Sequence, residues 1–513
     1  MSQFPDYLKN NSATAEVNLT NCDREPIHVP AAIQPHGVLL AVSEVDLTVQ
    51  QVSVNAKDFL GIEATDLLGN SVSTFLGTAQ ENSLRQTLTS REFRSSNPMK
   101  LSIGNGSGQR LVNGIVHRHH GVLFLELEPA GEPVEAPLRA FQLFQSAMAR
   151  IQMTSTLEQL WRVVVEEVKT ILGYDRVMVY KFDRSGNGQV IEEEVVEGRE
   201  RYLGLHYPAT DIPQQARLLY TINCIRHIPD VNYRPSELIP LIYPPSRELT
   251  DLSHSTLRSV SPIHVEYLQN MGVQASLSVS LISGSSLWGL IACHNYQPRF
   301  VPFEMRAACE LLGQVVSLRM AALESAEQSQ YKSKTNTMQA RFLEALSRKI
   351  LKDALIDGQP SVLDYVPATG AVLWMGKECF TVGKTPTMEQ IEKLIRRVRR
   401  NNSPVFVTDH LSSIFADARE FKDVASGVLS ITISREQNIY LMWLRPEQVE
   451  VVNWSGNPAK SVDPENPQRL TPRKSFELWK EVVENKSTAW TDVEIESVTE
   501  LRSTIMGLLL RRG

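Results

Sequence analysis

Residues 275–294 read ASLSVSLISGSSLWGLIACH, and this stretch decides the fold of the middle of the chain. SLSVSLI and LWGLIACH are runs rich in Leu, Ile and Val, separated by a short Gly/Ser stretch. That is the pattern of two antiparallel strands joined by a turn. Upstream, RVMVYKF (176–182) and QVIEEEVV (189–196) form a second strand pair around a Gly/Asn turn. Before them, Leu138 to Leu172 reads as two helices. The second, STLEQLWRVVVEEVKTIL, has its apolar residues at helical spacing. Residues 228–256 hold five prolines and little regular pattern, which predicts a long irregular loop. Loops of that length inside a compact domain are usually functional. Residues 138–310 are therefore a second α+β domain.

Working outward, PAGEPVEAP (129–137) is a linker by its Pro and Gly content. Residues 1–20 are polar and read as an arm. HGVLLAVSEVDLTVQQVSV (36–54) signals strand–turn–strand, Asn55 to Leu68 a short helical stretch, and LVNGIV and GVLFLEL two further strands. Residues 21–130 thus form a small α+β domain on an antiparallel sheet. Gln314 to Asp357 contains neither Gly nor Pro. A continuous helix there would run about 66 Å and must bridge domains, so 311–357 is assigned as a connecting helix. Residues 358–490 form a third domain with strands AVLWMG, PVFVTDH, GVLSITIS and IYLMWLRP. Thr491 and Glu494 make a capping box for a final helix over 491–513. Its stripe of Ile495, Val498, Leu501, Ile505 and Leu508 is expected to continue into a coiled coil in a longer protein.

Composition agrees with three globular domains. The chain has 513 residues, 42% hydrophobic and 21% charged, and domains run ~150 residues. The net charge of -6 argues against a nucleic-acid or anionic-membrane partner. No apolar run approaches the ~20 residues of a spanning helix, and the N-terminus has no secretory pattern. The cytoplasm is the expected setting. Five scattered cysteines are neither a disulfide framework nor a zinc cluster.

Several motifs have bland readings that win. Gly104-Asn105-Gly106-Ser107-Gly108 leads into a strand, not a helix N-terminus, so it is a hairpin turn. Asp183, Ser185, Asn187, Gly188 and Glu194 have calcium-loop spacing, but strands flank them where an EF-hand needs helices. His117, His119 and His120 could place two imidazoles on one strand face. No third, separated ligand is evident, so no metal site is expected. IEKLIRRVRR (391–400) is a helix with a solvated basic face. G-x-S-x-G, H-E-x-x-H and Walker patterns are absent, and no catalytic residue is assigned.

A more specific constellation remains: Cys22 beside Arg24, IQPHGVLL (33–40), PATDIP (208–213), YLQNMGV (267–273) and TPRKSFELWKE (471–481). These residues closely resemble the phytochromes, and within them the biliverdin-binding bacteriophytochromes, from about Cys22 to the end. The resemblance implies an α+β, three-domain PAS–GAF–PHY architecture joined by long helices, with a PHY tongue over about 446–481. It implies a red/far-red photoreceptor carrying biliverdin IXα. Ile263 occupies the position before the H-x-x-Y-L motif where plant members carry the attachment cysteine. Cys22 stands where bacteriophytochromes place theirs, and an exposed thiol next to an arginine favours thiolate. By the same resemblance, Asp211 and Ile212 of the DIP motif and His264 contact the pyrrole system. Arg226, Arg258, Tyr220, Ser276 and Ser278 hold the propionates, where a guanidinium suits a carboxylate. His294 reaches the D-ring carbonyl, and Tyr180, Tyr207, Tyr267 and Met178 surround the D-ring. Arg473 pairs with Asp211, and loop 228–256 is a lasso for the N-terminal arm.

The expected partners are the bilin and a second copy, through the GAF domain and long helices. A response regulator joins them only if the full protein carries a kinase domain. The rival reading is the sensory half of a light-regulated histidine kinase. The last histidine is His410 and no ATP-binding glycine box follows, so no enzyme activity is expected of these residues. A PAS/GAF module for another small ligand is the weaker alternative, opposed by the Cys22 and Arg473 motifs.

Overall fold

The computed structural model describes residues 25–89, 97–104, 109–130, 136–458 and 476–512. Cys22, the arm, the 105–108 turn and Arg473 lie outside these residues. The chain divides into two compact units, residues 1–321 with 453–479 and residues 322–452 with 480–513. The first two domains read from the sequence therefore share one unit.

Six strands open that unit: Ala32–Ile33 (β1), Val38–Val42 (β2), Val49–Ser53 (β3), Met99–Ile103 (β4), Arg110–His119 (β5) and Val122–Pro129 (β6). A second set follows: Arg176–Phe182 (β7), Gly188–Val195 (β8), His206–Tyr207 (β9), Ile225–Ile228 (β10), Ser236–Ile239 (β11), Ala275–Ser283 (β12) and Ser286–Asn295 (β13). The first sheet runs β1-β11-β3-β2-β6-β5-β4. Strand β2 is buried on both faces. Val38, Leu40 and Val42 face the domain core, and Leu39 and Ala41 face a second cluster with Leu238, Leu252 and Leu257. That is why its sequence is a continuous apolar run.

The stretch 228–256, expected to be irregular, contributes β11 to this sheet. Residues 28–34 run between its two limbs. Leu238 N donates to Ala31 O and Leu252 N to His28 O, while Ser259 N donates to Ala32 O and Gln34 N to Leu257 O. This interlock explains why two sequence domains make one unit.

The second sheet runs β10-β12-β13-β7-β8-β9 and continues into Glu450–Ser455 (β19) and Leu478–Val483 (β20). The 275–294 stretch is its central hairpin. Helix Leu157–Leu172 covers it, capped by Thr156 on Gln159 N and ended by Gly173 at φ 64°. Asp183 Oδ1 accepts from Ser185 N (2.8 Å) and Asn187 N (2.9 Å). Its carboxylate closes the hairpin turn.

The long helix spans Phe303–Arg348, 46 residues, rather than 311–357. It starts eight residues before the expected residue 311 and contains Gly313. A Cβ at Gly313 would lie 2.5 Å from Val279 Cγ1, so glycine marks a close approach of the helix to β12. Its early end comes at Ile350, where an extended residue turns the chain so that Leu351 and Leu355 bury.

The second unit carries Gly370–Met375 (β14), Glu378–Gly383 (β15), Val405–Thr408 (β16), Gly427–Ser434 (β17) and Ile439–Arg445 (β18), ordered β15-β14-β18-β17-β16. Strand β15 is a half-exposed edge strand that the sequence reading missed. The final helix, Asp492–Arg512, opens with the expected capping box, Glu494 N to Thr491 Oγ1 and Thr491 N to Glu494 Oε2. Its stripe is not a free coiled-coil seam. Val498, Leu501 and Ile505 are fully buried in the core of this unit.

Candidate functional site

Two local structures build the site. In PATDIP, Asp211 N donates to Pro208 O, making a turn, and Pro213 precedes helix Gln214–Ile222. Arg217 of that helix donates back to Ile212 O at 2.6 Å. In the second, Pro262 starts helix Pro262–Asn270, and His264 and Tyr267 lie one turn apart on it. Their rings stack at 6.1 Å and 11°, and Tyr267 OH donates to Asp211 Oδ2 at 3.2 Å.

These elements face a cavity lined by Asp211, Ile212, Tyr220, Arg226, Arg258, Ile263, His264, Tyr267, Ser276 and Ser278. Sheet register accounts for several of them. Arg226 pairs with Ser278 across β10–β12, and Ser276 pairs with His294 across β12–β13. Residues two apart on a strand share a face, so Ser276 and Ser278 project together.

The electrostatics are unusual. Arg226 donates to Ile225 O and Leu219 O, and Arg258 donates to Ile27 O. Neither makes an ion pair with a carboxylate among the described residues, and the Nε of each is buried without a partner there. Burial and mutual repulsion push Arg226 down to about 9, and burial pushes Arg258 down to about 10. Two desolvated guanidiniums at one cavity create a strong demand for anionic groups. Burial also pushes His264 down to about 4 and His294 to about 3, so both are neutral at pH 7. His294 Nδ1 has no partner among the described residues.

Not every expected residue lines the cavity. Met178, Tyr180 and Tyr207 form an apolar cluster with Val190 and Leu290, to which Ile212 and Tyr220 also belong. The described parts of the segment expected to form a tongue contribute as well. Trp454 pairs with His206, their rings 5.8 Å apart, and Gly456 N donates to Glu477 O. Phe476 stands edge-on to Tyr267 at 5.3 Å, and Pro458 lines the cavity.

The sequence reading missed Arg217, Gln34 and His227. Gln34 Nε2 donates to His227 O at 3.0 Å, and both residues line the cavity. Gln34 sat within the quoted IQPHGVLL motif and Arg217 four residues after PATDIP. Nothing local distinguished either from surface polar residues.

Comparison with known proteins gives three family matches: "PAS fold" over residues 22–130, "GAF domain" over 156–323 and "Phytochrome region" over 335–513. Cyanobacterial phytochrome B of Nostoc is 43% identical over 97% of this chain and 67% of its own length. The bacteriophytochrome of Pseudomonas aeruginosa is 35% identical over 97% of this chain and 67% of its own. The chain thus spans about two thirds of these relatives. The solved photosensory core module of the Stigmatella aurantiaca phytochrome superposes with a TM-score of 0.85, 41% identity and coverage of 97% of this chain and 100% of that one. A bacteriophytochrome structure from R. palustris gives 0.86, 38%, 96% and 100%.

Proposed function

The chain belongs to the phytochrome photoreceptor family, with PAS, GAF and PHY regions in that order, and on this premise we propose that it is a red/far-red light sensor whose cavity holds biliverdin IXα. The observation that carries the ligand assignment is the pair of buried arginines. Arg226 and Arg258 have orphaned Nε groups and no carboxylate partner among the described residues. An elongated apolar ligand bearing two carboxylates answers both demands, and a linear tetrapyrrole with two propionates is such a ligand.

Ser276 and Ser278 add hydroxyl donors on the same face, and the Arg226 guanidinium lies over the Tyr220 ring. The backbone of the Asp211–Ile212 turn, fixed by Arg217, offers acceptors to pyrrole N–H groups. His264 and His294, both neutral, donate or accept through one ring nitrogen each. Met178, Tyr180 and Tyr207 supply the dry wall that a twisting ring needs. By the family resemblance Cys22 is the covalent anchor, and Ile263 leaves the plant-type attachment position without a thiol.

The bound bilin supplies light-driven isomerisation about its C15=C16 double bond. Arg473 latches the tongue to Asp211 in the red-absorbing state, and its release lets the tongue refold. Signal then passes along the PHY region to a C-terminal output. The alternative reading is the sensory half of a light-regulated histidine kinase, with a response regulator as partner. A homodimer is supported by Leu311 and Leu318, seven residues apart on the long helix and 47% and 72% exposed.

The test is co-expression with heme oxygenase, followed by spectroscopy and a denaturing gel stained with zinc. The parent should photoconvert and carry covalent fluorescence. Cys22→Ala should bind a pigment that denaturation strips off. Covalent fluorescence retained in that variant would overturn the anchor assignment.

A further inference from the structure

The tip of the β5–β6 hairpin holds a second chemical cluster. His119 pairs with Val122, so the turn consists of His120 and Gly121 alone. Both have positive φ, 47° and 76°. Such a turn favours Asn, Asp or Gly at its first position, and histidine is among the residues that adopt the left-handed region. The rings of His119 and His120 stand 4.1 Å apart.

Asp251, from the long loop, faces both. Its Oδ2 lies 3.1 Å from His119 Nε2 and 3.8 Å from His120 Nε2. Its other oxygen, Oδ1, accepts from Ser253 N (2.8 Å) and Ser253 Oγ (2.6 Å), which orients the carboxylate toward the histidines. Bonds of 2.0–2.1 Å at tetrahedral angles place ligand atoms about 3.4 Å apart. The two observed distances bracket that value. None of the three ligands lines the bilin cavity.

We propose that His119, His120 and Asp251 bind a divalent first-row transition-metal ion, tying the hairpin tip of the first domain to the loop of the second. Two imidazoles and a carboxylate suit Zn²⁺ and its neighbours, with water completing the shell. The sequence had set His119 and His120 aside for want of a third ligand. Asp251 is that ligand, brought in by the fold.

Zinc chloride titrated calorimetrically into the pigmented 513-residue chain tests this. One saturable zinc per chain is expected. His120→Asn keeps a residue suited to the left-handed turn but removes the imidazole. That variant and Asp251→Asn should each weaken binding on the order of tenfold or more, while His410→Asn leaves it unchanged. Zinc should also raise the melting temperature of the parent but not of His120→Asn. Absence of a saturable site, or equal affinity in the parent and both ligand variants, overturns the proposal. The latter result assigns the zinc to the pigment or to other histidines.

Discussion

Substituting Gly188 by alanine tests how tightly the tyrosine wall is built. A Cβ at Gly188 would stand 1.8 Å from Tyr180 Cζ and 2.0 Å from its hydroxyl. Carbon atoms rest at about 3.5–4.0 Å, so the ring must retreat by about 2 Å. Tyr180 is 7% exposed and packed among Met178, Val190, Tyr207 and Leu290, which leaves it nowhere to go. Removing a strand glycine would by itself stabilise by at most about 1 kcal/mol through the unfolded chain. Overpacking costs about 1–3 kcal/mol, so the clash wins. Tyr180→Ala alone should cost about 3 kcal/mol or more through its cavity. In the double variant the new methyl enters space the ring has vacated. The two costs should therefore fall short of additivity by about 1–3 kcal/mol. Tyr180→Phe should give no rescue, because the nearest contact is a ring carbon. Equilibrium urea unfolding of the four proteins, followed by circular dichroism and pigment absorbance, reads the cycle. Additivity within about 0.5 kcal/mol would refute the packing argument.

Three further outcomes are expected. Asp211→Ala should bind biliverdin but stall before the far-red state, since its carboxylate favours positive charge on the pigment; complete photoconversion in flash spectroscopy would count against this. Arg473→Ala should keep covalent pigment but form the far-red state incompletely, and infrared difference spectra of the parent should show strand loss and helix gain on red illumination. Unaltered reversion kinetics in the variant, or no amide change in the parent, would sink the latch. Burial takes His36 and His264 from 6.5 to about 4 and His294 to about 3, so all three are neutral in the fold. The unfolded chain then binds more protons below pH 6.5, and stability, full above that pH, falls as pH drops toward 4. His264→Gln should lessen this fall by roughly 3 kcal/mol, measured by denaturant titrations at pH 7 and pH 4.

What the sequence determined by itself is local. Alternation in SLSVSLI and LWGLIACH, the Thr491/Glu494 capping box, and the Gly/Asn turn after RVMVYKF all reappear in the structure, because each rests on contacts within a few residues. Asp211, Arg226, Arg258, His264 and Tyr267, which the family resemblance singled out, line one cavity. What only the tertiary structure decided is long-range. β11 looked like irregular loop because its pairing partners, β1 and β3, are some 200 residues away, and a sheet edge accepts a strand from anywhere in the chain. Why a glycine stands at 313, inside the long helix, shows only with Val279 against it. Asp251 was one acid in a proline-rich stretch until the loop closed over His119 and His120. Local propensity acts through the backbone of neighbouring residues. A binding site is made where distant segments meet, and only the closed fold brings them within a few ångströms.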